Sequence, residues 1–124
     1  MGRESERRHF PRANYSCRIK VYSGPRKGEY FFSYTENISC GGTCIILEKD
    51  LGLFTSVGLE VDLEDGLGWV DCSGKVVWVT RRSEWVDKKP RHFDTGIEFI
   101  DLKEKDKTRI KDLVQICLKK VEKR

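Results

Sequence analysis

Short stretches in which apolar and polar residues alternate, each closed off by glycine or proline, constrain this chain more than any other feature. Leu59-Glu60-Val61-Asp62-Leu63 puts its apolar side chains on one face and its acids on the other, the period of a half-buried strand. Cys17, Ile19 and Val21 set against Arg18, Lys20 and Tyr22 repeat the pattern. Ser23-Gly24-Pro25-Arg26-Lys27-Gly28 then carries turn chemistry, and residues 29–39, rich in Tyr, Phe and Thr, read as the partner strand of a hairpin. Residues 43–47, 69 to about 82, and about 91 to 100 supply three more strands, with 82–91 as a polar loop. Several short antiparallel strands predict a mainly β, closed or nearly closed barrel, because closure is how a small sheet avoids exposed edges. Periodicity does not fix the strand order.

A different period follows the last strand. Ile110, Leu113, Val114, Cys117 and Val121, spaced at three and four, predict a C-terminal helix over about 102–122, with Asp101 as cap and Glu104 three positions on. Ile116 and Leu118 fall off this stripe and widen its apolar surface, which points to a weak homodimer through the helix. A chain of 124 residues is long enough for one domain with a real core. Its 24 Lys and Arg against 20 Asp and Glu leave only +4, too balanced for a general polyanion surface, so no nucleic acid partner is expected. No run is apolar enough to span a bilayer or to act as a secretion signal, so no membrane insertion and a cytoplasmic location are expected.

Catalytic constellations are missing from the sequence: there is no GxSxG, P-loop or HExxH pattern, and the five cysteines are scattered without a CxxC pair. Reduced thiols, no metal, no cofactor and no enzymatic activity are the expectation. Two elements point instead to ligand binding. The first is Arg7-Arg8-His9-Phe10-Pro11-Arg12, within an arm over residues 1–14 that has only Phe10 as a large apolar anchor and so is expected to be flexible. Guanidinium forks pair bidentately with phosphate or with a guanine edge. The second is Asn37-Ile38-Ser39-Cys40-Gly41-Gly42, where an amide and a hydroxyl two residues apart share one face of a strand end and the glycines leave backbone open to positive φ or close approach. A plain strand-to-turn corner uses the same residues.

Together, RxxxR at Arg8 and Arg12 and NxSxxG at Asn37, Ser39 and Gly42 resemble the PilZ domains, which bind the bacterial second messenger cyclic di-GMP. The resemblance covers nearly the whole chain, through Thr43-Cys44-Ile45-Ile46-Leu47, Gly74-Lys75-Val76-Val77-Trp78-Val79 and Gly96-Ile97-Glu98-Phe99-Ile100-Asp101-Leu102. Asn37 stands where many members have Asp. The resemblance implies a six-stranded antiparallel barrel over residues 15–124 with its C-terminal helix. It further implies cyclic di-GMP held by Arg8 and Arg12, with guanine edges read by Asn37 and Ser39. Gly41 and Gly42 would make the close turn and Trp78 a stacking surface, although a tryptophan among valines also reads as barrel wall or core. Arg7, directly before RxxxR, resembles the mode in which the ligand binds as an intercalated pair. Binding is then expected to order the arm over the barrel and to signal through an unknown downstream protein in motility, adhesion or exopolysaccharide output. A degenerate PilZ scaffold that binds no nucleotide, a protein-interaction module and a single-strand nucleic-acid barrel are the alternatives.

Overall fold

The computed structural model describes residues 12–23, 29–83 and 90–122. Its strands are β1 (Arg18–Tyr22), β2 (Tyr30–Ile38), β3 (Gly42–Leu47), β4 (Ser56–Asp62), β5 (Val70–Ser83) and β6 (Pro90–Phe99), followed by helix α1 (Glu104–Glu122). All neighbours pair antiparallel, and the sheet closes on itself in the order β1-β2-β3-β6-β5-β4. Chain neighbours therefore account for most of the pairings, while β1–β4 and β3–β6 close the circle.

Alternation does the sorting. Ile19 and Val21 of β1, Ile45 and Leu47 of β3, Val57, Leu59 and Val61 of β4, Val70 and Val76 of β5 and Ile97 of β6 all point inward and are buried. Each such side chain contributes about 1.5–3 kcal/mol relative to exposure. One polar group joins them for a structural reason. β2 is irregular between Thr35 and Asn37, a bulge that leaves Glu36 outside the β3 register. Beside it Thr35 Oγ1 accepts from Cys17 N at 2.8 Å and donates to the Tyr15 carbonyl at 2.6 Å, tying the segment before β1 to β2.

Helix α1 covers one end of the barrel with Ile110 and Val114 fully buried, and Leu113, Cys117 and Leu118 packed partly against the core. Leu118 thus joins the buried stripe, leaving Ile116 as the exposed large apolar residue of this helix among the described residues. Asp101 does not cap it. Its carboxylate instead accepts from Ser73 N at 2.5 Å and lies 3.2 Å from Ser73 Oγ, while two amides of the first helical turn, Asp106 N and Lys107 N, donate to the Lys103 carbonyl. The helix begins two residues later than its sequence suggests because Leu102 is pulled into the core first. Arg109 locks α1 to the β4–β5 loop: its guanidinium is bidentate to Asp65 at 2.6 and 2.8 Å, donates to the Gly68 carbonyl at 2.6 Å, and reaches Asp106 at 3.1 Å. Arg109 and Asp106 are shielded from solvent, which makes their pair stronger than an exposed one, while Asp65 meets the guanidinium at the surface. No helix among the described residues is long and apolar enough to cross a membrane.

Candidate functional site

The turn between β2 and β3 shows what Asn37-Ile38-Ser39-Cys40-Gly41-Gly42 is built to do. Ile38 points inward and is completely buried. Ser39 N donates to the Gly42 carbonyl at 2.9 Å, and the Ser39 hydroxyl lies 3.1 Å from Gly41 N and 3.4 Å from the same carbonyl, so that hydroxyl closes its own turn. Neither Gly41 nor Gly42 needs positive φ, which among the described glycines occurs at Gly52, Gly66 and Gly68. Gly42 answers to close approach instead, since a methyl there would overlap the Ile97 carbonyl of β6. Cys40 is half-buried, and its thiol donates to the Lys107 carbonyl at 3.4 Å; burial raises its pKa, so it rests as a thiol against α1.

Asn37 is different. Its Oδ1 is buried and has no hydrogen-bond partner among the described residues. Such an orphan acceptor costs about 1–3 kcal/mol and asks for a donor from outside the fold.

Register extends this position into a row across the outer wall. Asn37 is paired with Cys44 of β3, Cys44 with Gly96 of β6, and Gly96 with Trp78 of β5. Trp78 is not core: it is 38% exposed, and its indole lies against Gly96, so closely that a methyl at residue 96 would overlap the ring. A register shift between Val76 and Trp78 makes this possible, because the extra residue turns Trp78 outward where strict alternation after Val76 would send it in. Cys44 shares the outward side yet is 5% exposed, and its thiol donates to Glu36 Oε2 at 3.2 Å. Burial and the Glu36 carboxylate push that thiol up to about 12, with the nearby Arg12 charge acting the other way.

Arg12 is brought by the backbone to the same end of the row. It is exposed, and the next residue, Ala13, is buried at 2% and exchanges both backbone hydrogen bonds with Ile38, each 3.0 Å long. The root of the expected arm is therefore anchored beside Asn37. Arg7 and Arg8 lie outside the described residues.

Of the residues singled out in the sequence, Arg12, Asn37 and Trp78 come together on one wall, while Ser39, Gly41 and Gly42 form the turn at its edge. Glu36, Cys44 and Gly96 belong to the same surface, and sequence reasoning misses them. A glycine inside a strand is the available signal for Gly96, since such a position marks close approach. An exposed cation, an orphan amide and a flat aromatic ring in one row can hold a planar, hydrogen-bonding, negatively charged ligand. Among the described residues there is no group of His, Cys, Asp and Glu that could hold a metal ion.

A family model described as PilZ domain matches residues 6–115. No curated protein matches by sequence. Among solved structures, the PilZ domain with c-di-GMP of YcgR from Escherichia coli is similar at a TM-score of 0.70 and 11% identity, over 94% of this chain and 95% of that one. Bacillus subtilis MotI/DgrA, an inhibitor of motility, is similar at 0.71 and 17% identity, over 95% of this chain and 53% of that one. The K. pneumonia MrkH–c-di-GMP complex is similar at 0.66 and 17% identity, over 94% and 54%. The chain thus spans about half the length of the latter two proteins.

Proposed function

This chain belongs to the PilZ domain family, and from that premise we propose that it is a receptor for cyclic di-GMP. The observation that carries the reading is the row itself: Asn37 with its unpartnered buried Oδ1, the seat on Gly96, and Trp78 lying open across it, with Arg12 anchored at one end. Guanine offers N–H donors that suit an orphan amide oxygen. Its ring suits an indole, at about 1–3 kcal/mol per stacked base. Phosphate suits the guanidinium of Arg12 and, by the RxxxR pattern, that of Arg8. Similar solved proteins are complexes with the same ligand.

Ser39 acts through the turn in this reading, since its hydroxyl already serves Gly41 and Gly42. Arg7 adds a further cation, which is what four phosphates of an intercalated ligand pair call for. The output passes through a downstream protein of motility, adhesion or exopolysaccharide secretion, reached by ordering residues before Ala13.

Calorimetric titration with cyclic di-GMP tests all of this. Saturation above one ligand per chain is expected, and Arg12→Ala should weaken binding by about 2–5 kcal/mol, the loss typical of a desolvated charged donor. A flat titration at high micromolar ligand would leave a non-binding scaffold. Saturation at equal amounts would keep the receptor and remove the role of Arg7.

A further inference from the structure

Strand β5 has 14 residues and its neighbour β4 has 7, so the two part company halfway. β4 pairs with β5 from Val70 to Lys75, and the loop before β4 adds two bonds at Val76: Phe54 N donates to its carbonyl at 2.7 Å, and its own amide donates to the Thr55 carbonyl at 3.0 Å. Beyond Val76, among the described residues, nothing pairs with that side of β5. Its other side stays paired with β6 as far as Ser83. Residues 77–83 therefore form an open strand edge above an otherwise closed barrel, roughly 23 Å long at about 3.3 Å per residue.

A built turn keeps this edge open. Phe54 stands at φ 65° and Gly52 at φ 88°, and for a bulky residue such as phenylalanine that conformation is strained. Gly52 N donates to Asp50 Oδ1 at 2.8 Å, Thr55 N to the Gly52 carbonyl at 3.4 Å and Thr55 Oγ1 to the Leu51 carbonyl at 2.8 Å, so the chain is locked where it turns away from β5. The turn leaves Leu53 56% and Phe54 66% exposed at the foot of the edge, where Val77 is exposed as well. Farther along, Arg81 is exposed and has no ion pair among the described residues. Arginines on an edge, taken alone, read as protection against unwanted pairing. Exposed Leu53, Phe54 and Val77 do the reverse.

We propose that this edge receives an extended segment of a partner protein, added antiparallel to β5 and in line with β4. Antiparallel is the sense of every pairing in the sheet. The segment then runs from Ser83 towards Val77, which orders its chemistry. Acidic residues belong in its N-terminal half, opposite Arg81 and Arg82, and a large apolar residue belongs at its C-terminal end, against Leu53 and Phe54. A second copy of the chain fits worse. Residues 77–83 contain two arginines and no Asp or Glu, so pairing two such edges would gather four arginines with no carboxylate among them. Trp78 offers only its backbone here, because its ring lies against Gly96, so the edge and the nucleotide wall use different groups.

Fluorescence anisotropy tests the edge with a synthetic peptide of about ten residues, acidic in its first half, then alternating valine and threonine and ending in phenylalanine. Saturable binding below about 1 mM is expected. N-methylating every second peptide amide should weaken binding at least about tenfold in one register and leave it unchanged in the other, since only one set of amides faces β5. Arg81→Glu should weaken binding at least about threefold, and replacing the peptide's acids by lysines should restore it. Phe54→Gly should also weaken it at least about threefold without lowering the urea midpoint, because glycine accepts the positive φ. In amide exchange, alternate amides of residues 77–83 should exchange fast in the free protein and slowly once the peptide is added. Absence of binding at the highest peptide concentration overturns the proposal, as does binding that both N-methylated registers affect equally. Slow exchange all along 77–83 in dilute free protein overturns it too, by showing an edge already covered. Protection that rises with protein concentration alone would overturn it in favour of a second copy.

Discussion

Thr35→Val changes one oxygen for one methyl at a position 2% exposed, and it should destabilise the barrel although it makes the core more apolar. The oxygen it removes serves two backbone groups. Cys17 N, in a residue with no exposed surface, loses its acceptor at 2.8 Å, and the Tyr15 carbonyl loses its donor at 2.6 Å. Leaving a buried amide unsatisfied costs about 1–3 kcal/mol. The Tyr15 carbonyl adds less, because Tyr15 is only partly buried and water can reach it. Extra apolar burial offsets up to about 1 kcal/mol. The net loss is therefore about 1–3 kcal/mol, which for a urea dependence of about 2 kcal/mol per molar lowers the midpoint by roughly 0.5–1.5 M without changing the slope. Thr35→Ser keeps both hydrogen bonds and loses one methyl, about 1 kcal/mol. The order of stability is then wild type, the serine variant, the valine variant. A burial argument alone gives the opposite order for the two variants, so a valine variant as stable as the serine one would refute the reasoning. Tyr15 and Cys17 also hold the chain that leads back to Arg12, so the valine variant should bind cyclic di-GMP more weakly at temperatures where it is still folded.

Arg109→Met should cost about 3–5 kcal/mol, because it strands the buried Asp106 carboxylate and frees the β4–β5 loop. The guanidinium holds the Asp65 carboxyl below its ordinary range, so that part of its contribution is complete at neutral pH and fades as pH falls below about 4; the gap between the urea midpoints of wild type and variant should narrow there, and a constant gap would refute the pairing with Asp65. Gly96→Ala should displace the Trp78 ring rather than backbone, weakening cyclic di-GMP binding about tenfold while costing the barrel no more than about 1–2 kcal/mol; unchanged affinity in calorimetry would remove the stacking role. In amide exchange, Ala13 and Ile38 should be protected without ligand, through their mutual bonds, and residues before Ala13 should gain protection only when cyclic di-GMP is added. Fast exchange at Ala13 would show that the root of the arm is loose.

What the sequence reveals of this molecule divides along physical range. All six strands and the helix are legible, because inward alternation and a three-four spacing are local patterns imposed by burial. The order β1-β2-β3-β6-β5-β4 is not, since it depends on which distant faces meet. Asp101 followed by Glu104 reads as a cap, yet the amide of Ser73, far away in the chain, claims the carboxylate. Trp78 among Val76, Val77 and Val79 is ambiguous for a similar reason: one extra residue inverts the alternation, and no glycine or proline announces the bulge. Asn37 is legible from its neighbours in the motif. That its oxygen lacks a partner among the described residues is a fact of three-dimensional surroundings, as is the use of the Ser39 hydroxyl by its own turn.

Barrel closure also carries a kinetic consequence. β1–β2, β2–β3, β4–β5 and β5–β6 are pairs of chain neighbours that can zip locally, but β1 must find β4 across the interval that separates Arg18 from Asp62, 44 residues. β3 must find β6 across a comparable interval. Loop closure has to be achieved before either seam returns any contact energy, which places folding of such a topology on the millisecond-to-second scale, roughly. Substitutions along the β1–β4 seam, the Arg18–Asp62 ion pair included, should then slow folding if the seam forms in the transition state. Those confined to α1 should mainly hasten unfolding, because a helix laid over the barrel end has nothing to dock on until the circle is complete.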